Sequence, residues 1–428
     1  MMEKQFQTAA KFIEKNCSAD DFSFYIYKSD EQMTRYAQNM ITQNMSGIKY
    51  GIRLNVAYGN KNGSARINSL DENELKKLIE TAQNIAKLNK PDPEYVQSAS
   101  KAKFPVTDNV AENTAKFSMK EMVDIIKTTV DNAEKKKAFV SGIVTKRISD
   151  FYLRTKNGFE GFDSSSEFEN SMTLADNKTR EAKVERSVKD VKDYSIKKEI
   201  EQLNSRFDAL TEPKKIEAGQ YNVILRPQAV INFFSFLLYF FDRKNADYGV
   251  TAFHDSIGKN MFGKNFSLIS NLDEKDLTAS PFSADGIPAR NFDWIKNGVV
   301  NELYTDRSYA KKIGVKPNFI PNVIIRGGKS TEEEMMKKVK NGLIINNFWY
   351  IRTVSIKKNE VTGLTRDGIY YFENGKIKHS VNNLRFNEVL HQAAKNILLL
   401  GKEDNISAGT KVPTMLIKDF TFADTTTF

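Results

Sequence analysis

Three histidines and one cysteine are the strongest metal ligands and nucleophiles in this 428-residue chain, and no two of them share a motif spacing. A catalytic zinc site needs three protein ligands and an open position, usually with a carboxylate base nearby. His254, followed by Asp255, is the strongest candidate among the histidines for a functional site, although a loop histidine with local hydrogen bonds is the simpler explanation. The sequence around His379 indicates an exposed turn, and that around His391 a helix border. Cys17 lies in register with apolar residues, as a packed thiol does.

The glycine-containing run at Val323–Thr331 is only superficially similar to a phosphate-binding loop. Such a loop requires a glycine five residues before Gly328, and this chain has Val323 there. Without that glycine the backbone N–H groups cannot wrap around a polyphosphate. A strand, a glycine turn and a serine cap explain these residues. The sequence also contains no G-x-S-x-G elbow and no dinucleotide fingerprint, so we expect no nucleotide cofactor.

Composition limits the class of protein. Hydrophobic residues make up 40% and charged residues 28% of the chain, which is ordinary for a globular protein in water. The formal net charge of +10 comes from dispersed lysines without an arginine-rich stripe, so we expect no nucleic-acid partner. No stretch reaches the ~18 apolar residues of a membrane span. The N-terminus lacks a signal-peptide pattern and a single cysteine cannot form an intrachain disulfide, so we expect a cytoplasmic protein without a membrane partner.

The order of periodic segments predicts an α+β fold with largely antiparallel or mixed sheets and flanking helices. We expect two domains, an N-terminal α+β domain at 1–210 and a β-rich α+β domain at 218–428. In the first, capping-box patterns are expected to begin helices at Ser69 with Glu72 and at Ser118 with Glu121. Its other expected elements are an N-terminal helix, strands at Phe22–Lys28 and around Ile52–Val56, a hairpin over Phe151–Phe162 and a helix over about 188–210.

An apolar helix at 229–241 is the most distinctive element of the second half. It follows a buried strand at Tyr221–Leu225 and contains no histidine, cysteine, aspartate or glutamate. Its length is too short to cross a bilayer and indicates a helix buried in protein. Further along, we expect a helix capped by Ser330 with Glu333, another helix at 387–400 and a last strand at 413–422.

Short segments match a known family in the right order across nearly the whole chain. In the second half they are A-G-Q-Y-N-V-I-L-R-P, F-H-D-S-I-G-K, S-P-F-S-A-D-G-I-P-A-R, N-G-V-V-N-E-L-Y-T-D-R-S-Y-A-K-K-I-G and V-K-N-G-L-I-I. In the first half, S-G-I-K-Y-G-I-R (Ser46–Arg53) and R-T-K-N-G (Arg154–Gly158) fit as well. Through these segments the chain resembles the TldD/PmbA family, once called modulators of DNA gyrase and understood as metallopeptidases.

The resemblance also indicates which residues are missing. Catalytic members of that family carry His-Glu-x-x-x-His on the helix after the buried strand, and a cysteine ligand downstream. Counting from the two flanks gives two registers for these positions, Phe234–Ser235–Tyr239 or Ser235–Phe236–Phe240. None of these side chains is a zinc ligand. The cysteine would fall near Leu400–Pro413, which has none. The resemblance therefore implies a degenerate metal site, with neither catalytic residues nor metal ligands.

Members with this departure resemble the PmbA (TldE) branch, whose chains pair with a TldD subunit that carries the zinc. The resemblance implies a non-catalytic subunit that binds no cofactor itself, holds unfolded or leader peptides, and forms a heterodimer with a TldD-like catalytic subunit or a homodimer. Two other functions stay open, an active metallopeptidase with an atypical site around His254 and Asp255, and a regulatory protein acting on DNA gyrase. The matched segments suggest five residues for substrate contact, Tyr239, His254, Asp285, Arg290 and Arg307.

Overall fold

The computed structural model describes residues 4–177 and 180–425, and within them runs of strands are separated by helices. No helix in these described ranges is both long and apolar enough to cross a membrane. The first half contains α1 (Lys4–Asn16), β1 (Asp21–Ala37), β2 (Met40–Tyr58), β3 (Lys61–Ile67), α2 (Glu72–Leu88), α3 (Glu112–Lys116), α4 (Met119–Lys135), β4 (Phe139–Thr155), β5 (Glu160–Ala175), β6 (Glu181–Val188) and α5 (Ile196–Asp208).

The second half continues with short elements and then long hairpins. It contains β7 (Gly219–Leu225), α6 (Pro227–Phe240), α7 (Arg243–Asp247), β8 (Leu268–Ser270), β9 (Phe292–Lys296), β10 (Val299–Val300), α8 (Arg307–Ile313), β11 (Val323–Ile325), α9 (Glu332–Lys338), β12 (Asn341–Ser355), β13 (Glu360–Glu373), β14 (Lys376–Ser380), β15 (Leu384–Val389), α10 (Leu390–Lys395), β16 (Ile397–Ser407) and β17 (Thr410–Thr425).

Strands of the first half form one antiparallel sheet in the order β3-β2-β1-β4-β5-β6. Side chains alternate between the two faces of each strand, so the sheet has an apolar face and a polar face. Phe24 of β1 and Leu54 of β2 are fully buried on the apolar face, in a core cluster that includes residues of α1 and α2. Tyr25 and Arg53 lie on the polar face and are half-buried. The polar face is therefore free to line a cleft.

Part of β2 has a neighbour on one side only. β3 pairs with Ile52–Tyr58, so among the described strands residues 40–51 of β2 are paired with β1 alone. Four apolar side chains of this segment are between 45% and 64% exposed: Met40, Ile41, Met45 and Ile48. An unpaired strand edge presents free backbone N–H and C=O groups to which another extended chain can add.

The second sheet is mixed. Its strands follow the order β10-β9-β8-β11-β17-β15-β13-β12-β7, with β14 and β16 as branches. β7 is parallel to β12 and β11 is parallel to β17, whereas the long β12–β13 and β16–β17 hairpins are antiparallel. α6 contributes its apolar side chains to the core of this sheet, where Phe233 meets the rings of Phe386 and Phe420. The two sheets with their helices confirm the predicted α+β class.

One core cluster contains residues from both sheets. Phe168 of β5, Leu203 of α5 and Ile224 of β7 belong to it, and all three are fully buried. The predicted boundary at 211–218 falls in the connection between α5 and β7. That the two halves are separate domains stays a prediction, because their apolar side chains share this cluster.

Helix capping agrees with the sequence pattern in one case and is displaced in two. Ser118 and Glu121 form a complete capping box at the start of α4, as predicted. α2 has Asp71 as its N-cap, and the hydroxyl of Ser69 instead accepts the backbone N–H of Asp71. α9 is capped by a box one residue beyond the predicted pair, between Thr331 and Glu334. Both displaced patterns still mark the correct helix.

The helix predicted at 387–400 is wrong except at its centre. β15 precedes it, α10 spans only Leu390–Lys395, and β16 begins at Ile397. The apolar residues are buried in another way, since Leu390 lies on the short helical turn and Ile397 pairs with Ile417 of β17. Strand pairing along β17 has overridden the local helical period.

His391 on α10 should make the protein less stable in mild acid. Burial, and then the positive charge of Lys395, lower the pKa of His391 to about 4, whereas the unfolded chain titrates at about 6.5. The unfolded state therefore binds the proton first, and the stabilisation is full above a pH of roughly 6.5 and is lost as the pH falls towards 4. Between pH 7.5 and pH 5, we expect urea unfolding to show a loss about 1–2 kcal/mol larger for the wild type than for His391→Gln.

The matched control is Gln392→Ala, because Gln392 is the adjacent, exposed residue of α10 and carries no titratable group, so its replacement should leave the pH dependence as in the wild type. Glu388 acts in the opposite direction, since burial raises the pKa of this carboxyl. Glu388 is present in the wild type and in both variants, so the difference in acid sensitivity among these proteins reports on His391 alone. Equal acid sensitivity of the wild type and His391→Gln would contradict the prediction.

Candidate substrate cleft and the apolar helix

α6 is held at its N-terminus by a charged anchor. Arg226 is the N-cap and Pro227 takes the first helical position, where a missing N–H costs nothing. The Arg226 guanidinium donates from Nε and Nη2 to the two carboxylate oxygens of Glu332, at 2.8 and 2.7 Å, and from Nη1 to Asn346 Oδ1 at 2.6 Å. Since Glu332 belongs to α9 and Asn346 to β12, three elements meet here. The N-terminus of α6 is therefore held in place by its contacts with α9 and β12.

In the first register the motif positions point in different directions. Phe234 is 3% exposed, and its ring centroid lies 4.9 Å from that of Phe233 and 5.0 Å from that of Phe266. Tyr239 is 76% exposed and lies against Phe236, with 5.7 Å between the ring centroids. Five residues turn a helix by about 500°, which leaves the two side chains roughly 140° apart. One position faces the core and the other faces solvent.

The second register offers no ligands either. Ser235 donates its hydroxyl to the backbone carbonyl of Asn232 at 3.2 Å, Phe236 is half-buried, and Phe240 is 3% exposed. Zinc takes imidazole, thiolate or carboxylate ligands. The residues of α6 therefore do not fit the zinc ion that the family resemblance implies. Over residues 4–177 and 180–425, no three His, Cys, Asp or Glu side chains are grouped so that they could hold a metal ion.

The segment expected to carry the cysteine ligand, Leu400–Pro413, forms the β16–β17 hairpin. Its acidic side chains are engaged in structural contacts. Glu403 accepts the backbone N–H of Gly327 at 2.9 Å and pairs with Arg326 at 3.4 Å. Asp404 pairs with Arg186 of β6. These carboxylates connect elements of the fold and do not converge on α6 as ligands.

His254 lies in the connection between α7 and β8. Its Nδ1 is 3.1 Å from the carbonyl oxygen of Ala246, and its Nε2 is 3.3 Å from Asp255 Oδ2. Asp255 has a φ of 50°, so the backbone turns sharply beside the histidine. The imidazole therefore makes local contacts on an exposed loop, with one carboxylate as its ion-pair partner.

Asp285 and Arg307, two of the five residues suggested for substrate contact, line the same cleft. This cleft has a volume of about 580 Å³, within the usual range for ligand pockets. One wall is the polar face of the first sheet, and the other consists of loops of the second half. From the first half, the cleft is lined by Asp21, Tyr25 and Arg53 of the sheet and by Tyr95 of the connection between α2 and α3.

Hydrogen bonds fix the polar groups of the cleft. Asp21 accepts from the Tyr95 hydroxyl and from the backbone N–H and the hydroxyl of Ser98, each at 2.6 Å. Burial, and then the hydrogen bond to Asp21, raise the pKa of Tyr95, which keeps its hydroxyl protonated as a donor. Arg307 donates from Nη2 to the carbonyl oxygen of Gln97 at 2.8 Å. Burial lowers the pKa of Arg307, which Asp285 and Asp21 partly oppose, and guanidinium remains charged.

The other three suggested residues lie outside this cleft. Arg290 is exposed, and its guanidinium stacks over Phe292 at 4.1 Å. Tyr239 is on α6 and His254 is on its loop. That any of the five contacts a substrate stays a prediction. Our sequence reasoning did not single out Arg53 or Tyr95, although Arg53 ends the matched segment Ser46–Arg53 and could have been found there.

Comparison with known proteins shows which family this chain is similar to. Residues 218–424 match the family model described as the PmbA/TldA metallopeptidase C-terminal domain. The metalloprotease PmbA of Escherichia coli O157:H7 is 23% identical over 153 residues, covering 35% of this chain and 33% of that protein. Residues 218–424 belong to the TldD/PmbA family. An uncharacterized protein of Methanocaldococcus jannaschii, MJ0231, is 24% identical over 355 residues, which is 78% of this chain and 80% of that protein.

Solved structures show that the TldD/PmbA fold extends over the first half as well. TldE from Thermococcus kodakarensis superposes with a TM-score of 0.86 at 16% identity, over 97% of this chain and 98% of that one. A putative modulator of DNA gyrase from Bacteroides thetaiotaomicron gives 0.85 at 16% identity, covering 98% of both chains. Another, from Thermotoga maritima, gives 0.82 at 17% identity over 99% of this chain and 100% of that chain. At these identities the likeness concerns the fold alone.

Proposed function

We propose that this chain is a PmbA/TldE-like subunit of a TldD-type zinc metallopeptidase. It holds unfolded or leader peptides, and a TldD-like partner carries the zinc and cleaves them. The observation that carries the proposal is that α6 offers no zinc ligand in either register. Phe234, at the first histidine position of one register, is built into the core, and Ser235, at that position in the other, bonds to a backbone carbonyl. The fold shared with TldE of Thermococcus kodakarensis supports this branch. A cytoplasmic location stays a prediction.

Two features support a role in holding peptides. The cleft with Asp285 and Arg307 is open to solvent and polar, and residues 40–51 of β2 leave a strand edge unpaired among the described strands. β2 connects the two features, since it runs from this edge to Arg53 in the cleft. Backbone hydrogen bonding along an edge binds an extended peptide without reading its side chains. Such binding suits a subunit whose substrates share no sequence.

An exposed aromatic surface supports pairing with another subunit. Near the end of β12, Trp349 is 50% exposed and Tyr350 is 54% exposed. Arg366 stacks over Trp349 at 4.5 Å, and Arg352 stacks over Tyr350 at 4.2 Å. Tryptophan, tyrosine and arginine are the residue types most enriched in protein interfaces. A partner that covers this surface would remove from water apolar area that the isolated chain leaves exposed.

Reconstitution tests the proposal. The chain should co-purify with the His-Glu-x-x-x-His protein of the same cell, and an unfolded casein-type substrate should be cleaved by the mixture at least about 100-fold faster than by either chain alone. Replacing the glutamate of the partner's motif with glutamine should abolish this activity, since that residue supplies the general base in a zinc peptidase. Peptidase activity of this chain alone, with stoichiometric bound zinc, would overturn the proposal.

The other two functions have less support from the described residues. An atypical metal site at His254 would have Asp255 as its one ion-pair partner, where catalytic zinc needs three protein ligands. A role on DNA gyrase is supported by the names of two structural neighbours alone. Unchanged peptidase activity of His254→Ala would exclude the atypical metal site. Absence of DNA binding at low salt would exclude the role on DNA gyrase.

A further inference from the structure

We infer that the cleft and the adjoining sheet face bind carboxylate groups of an extended peptide through Arg53, Arg66 and Arg307. The inference rests on the proposed peptide-holding function and adds a preference for acidic substrates. The carboxylate can come from aspartate and glutamate side chains or from the free C-terminus of the peptide. Guanidinium suits both sources, because its fork of N–H donors matches the two oxygens of a carboxylate.

Strand register places these groups in one row. Tyr25 of β1 lies opposite Arg53 of β2, and Arg53 lies opposite Arg66 of β3. Residues opposite each other in antiparallel strands point to the same face, with Cβ atoms about 5 Å apart. Two arginines therefore stand side by side on the polar face. Like charges in this position repel each other, so an anionic group between them would relieve the repulsion.

These arginines have no carboxylate partner within the described ranges. Arg53 donates to Asn55 Oδ1 at 3.1 Å and to Ser64 Oγ at 3.3 Å. Arg66 is exposed and makes no side-chain hydrogen bond or ion pair with any described residue. The only hydrogen bond from the Arg307 side chain to a described residue goes to a backbone carbonyl. Among the described residues, none of the three arginines has a carboxylate within ion-pair distance, and Asp285 and Asp21 act on Arg307 only from farther away.

Two arginines of β4 in the same sheet have carboxylate partners. Arg147 of β4 pairs with Glu31 of β1 at 2.7 Å and with Glu167 of β5 at 2.8 Å, both in cross-strand register. Arg154 of β4 likewise contacts two carboxylates, those of Glu14 and Glu160. Arg35 of β1 also lacks a carboxylate among the described residues, so a missing partner alone does not mark a site. Arg53 and Arg66 differ from it because they stand side by side below a cavity, which points to a carboxylate from outside the chain.

The space above this row is open. A second cavity of about 530 Å³ lies over Tyr25, Tyr27, Arg53 and Arg66, and it shares Tyr25 and Arg53 with the main cleft. A Cβ atom built on Gly51, next to this row, would meet no atom within 4 Å. An extended chain rises about 3.3 Å per residue. A peptide can therefore run along the sheet face from Arg66 past Arg53 into the cleft beside Arg307.

The acidic residues of the cleft do not neutralise the row. Asp21 is occupied by Tyr95 and Ser98, as described above, and Asp306 caps α8 by accepting the backbone N–H of Tyr309 at 2.7 Å. Asp285 is exposed on the opposite rim, and no ion pair within 4 Å joins it to a described arginine. It lies near Arg307 and away from Arg66. The end of the groove at Arg53 and Arg66 is thus the cationic end, where a peptide carboxylate should bind.

Fluorescence anisotropy with labelled unstructured peptides tests this inference on the full chain. Three peptides of equal length carry glutamate, glutamine or lysine at alternate positions, and a fourth is the glutamine peptide with an amidated C-terminus. We expect the glutamate peptide to bind at least about tenfold more tightly than the glutamine peptide. Arg53→Gln and Arg307→Gln should each weaken it by about fivefold to tenfold, and the more exposed Arg66→Gln by about threefold. Tighter binding of the free than of the amidated glutamine peptide would assign the C-terminal carboxylate as a source.

Arg35→Gln is the matched control. Arg35 lies on β1, is exposed, and stands about 33 Å along the strand from Tyr25 at 3.3 Å per residue. The substitution removes the same charge and should change the affinity for the glutamate peptide by less than about 1.5-fold. Melting temperatures of all variants within ~2 °C of the wild type would show that folding is intact. The effect should also shrink at high salt, since exposed charges are screened.

Several results would overturn the inference. If glutamate and glutamine peptides bind equally, the acidic preference is wrong while the peptide-holding function stands. If no peptide binds, both are wrong. If Arg35→Gln weakens binding as much as Arg53→Gln, the effect is general charge and not the groove. If a single-stranded oligonucleotide of equal charge binds more tightly than the glutamate peptide and depends on the same arginines, the ligand class is nucleic acid.

Discussion

Replacing Phe234 with histidine should destabilise the protein by about 3 kcal/mol, because it removes a buried ring and places an imidazole in an apolar core. Phe234 is 3% exposed and contacts Phe233 and Phe266. Rebuilding the motif in the first register, which begins at Phe234, would therefore damage α6 before any metal could bind. The measurement is urea unfolding monitored by circular dichroism, with the free energy extrapolated to water.

Tyr239→His is the matched control on the same helix. Its side chain is 76% exposed, so we expect a change of less than about 0.5 kcal/mol. The triple variant Phe234→His, Ser235→Glu, Tyr239→His should be at least as unstable as Phe234→His and should bind no stoichiometric zinc. A stable triple variant that takes up one zinc ion per chain would show that α6 needs only its ligands restored.

Glu332→Gln should cost about 2–3 kcal/mol, because it leaves the Arg226 guanidinium without its charged partner in a largely buried place. The Arg226 and Glu332 side chains are 15% and 30% exposed, and two hydrogen bonds join them. The loss is also expected to loosen the N-terminus of α6, since Arg226 is its N-cap. Thermal and urea unfolding both measure this effect.

Glu333→Gln provides the control from the adjacent residue of α9. Glu333 pairs with Lys337 on the surface, where both side chains are more than 60% exposed, and such exposed pairs contribute little to stability. The ion pair also predicts a pH effect. Burial would raise the pKa of Glu332, but Arg226 outweighs it, so the pKa is lowered. Its stabilisation is present above the unfolded pKa of about 4.3 and is lost as the pH falls through the folded value. Equal unfolding free energies of the two variants would contradict the role of the anchor.

Elements with local signals were predictable from the sequence. The Ser118–Glu121 box and the turn at Asn157-Gly158 are each specified within a few residues, and α4 and the β4–β5 hairpin occur as predicted. The helix at 387–400 failed, because its apolar residues satisfy a helical period locally but are claimed by β17, which closes the sheet from the end of the chain. Pairings of this kind depend on distant sequence.

The candidate site likewise has one part that could be predicted from the sequence and one part that could not. The two registers on α6 could be counted along the chain, and Asp285 and Arg307 came from the matched segments. The row of Tyr25, Arg53 and Arg66 was not found, because each residue is unremarkable on its own strand and the row exists only once three strands are in register. Whether a charged residue is paired or unpaired cannot be read from its neighbours in sequence.

The core cluster that joins the two sheets has a consequence for how the molecule can change over evolutionary time. Side chains of β5, α5 and β7 fill one continuous volume, so a substitution that enlarges a residue on one side needs a smaller one on the other. A half inherited from another chain would bring its own, mismatched surface to this cluster. We therefore expect substitutions in the two halves to be coupled at this cluster, so that the halves change together.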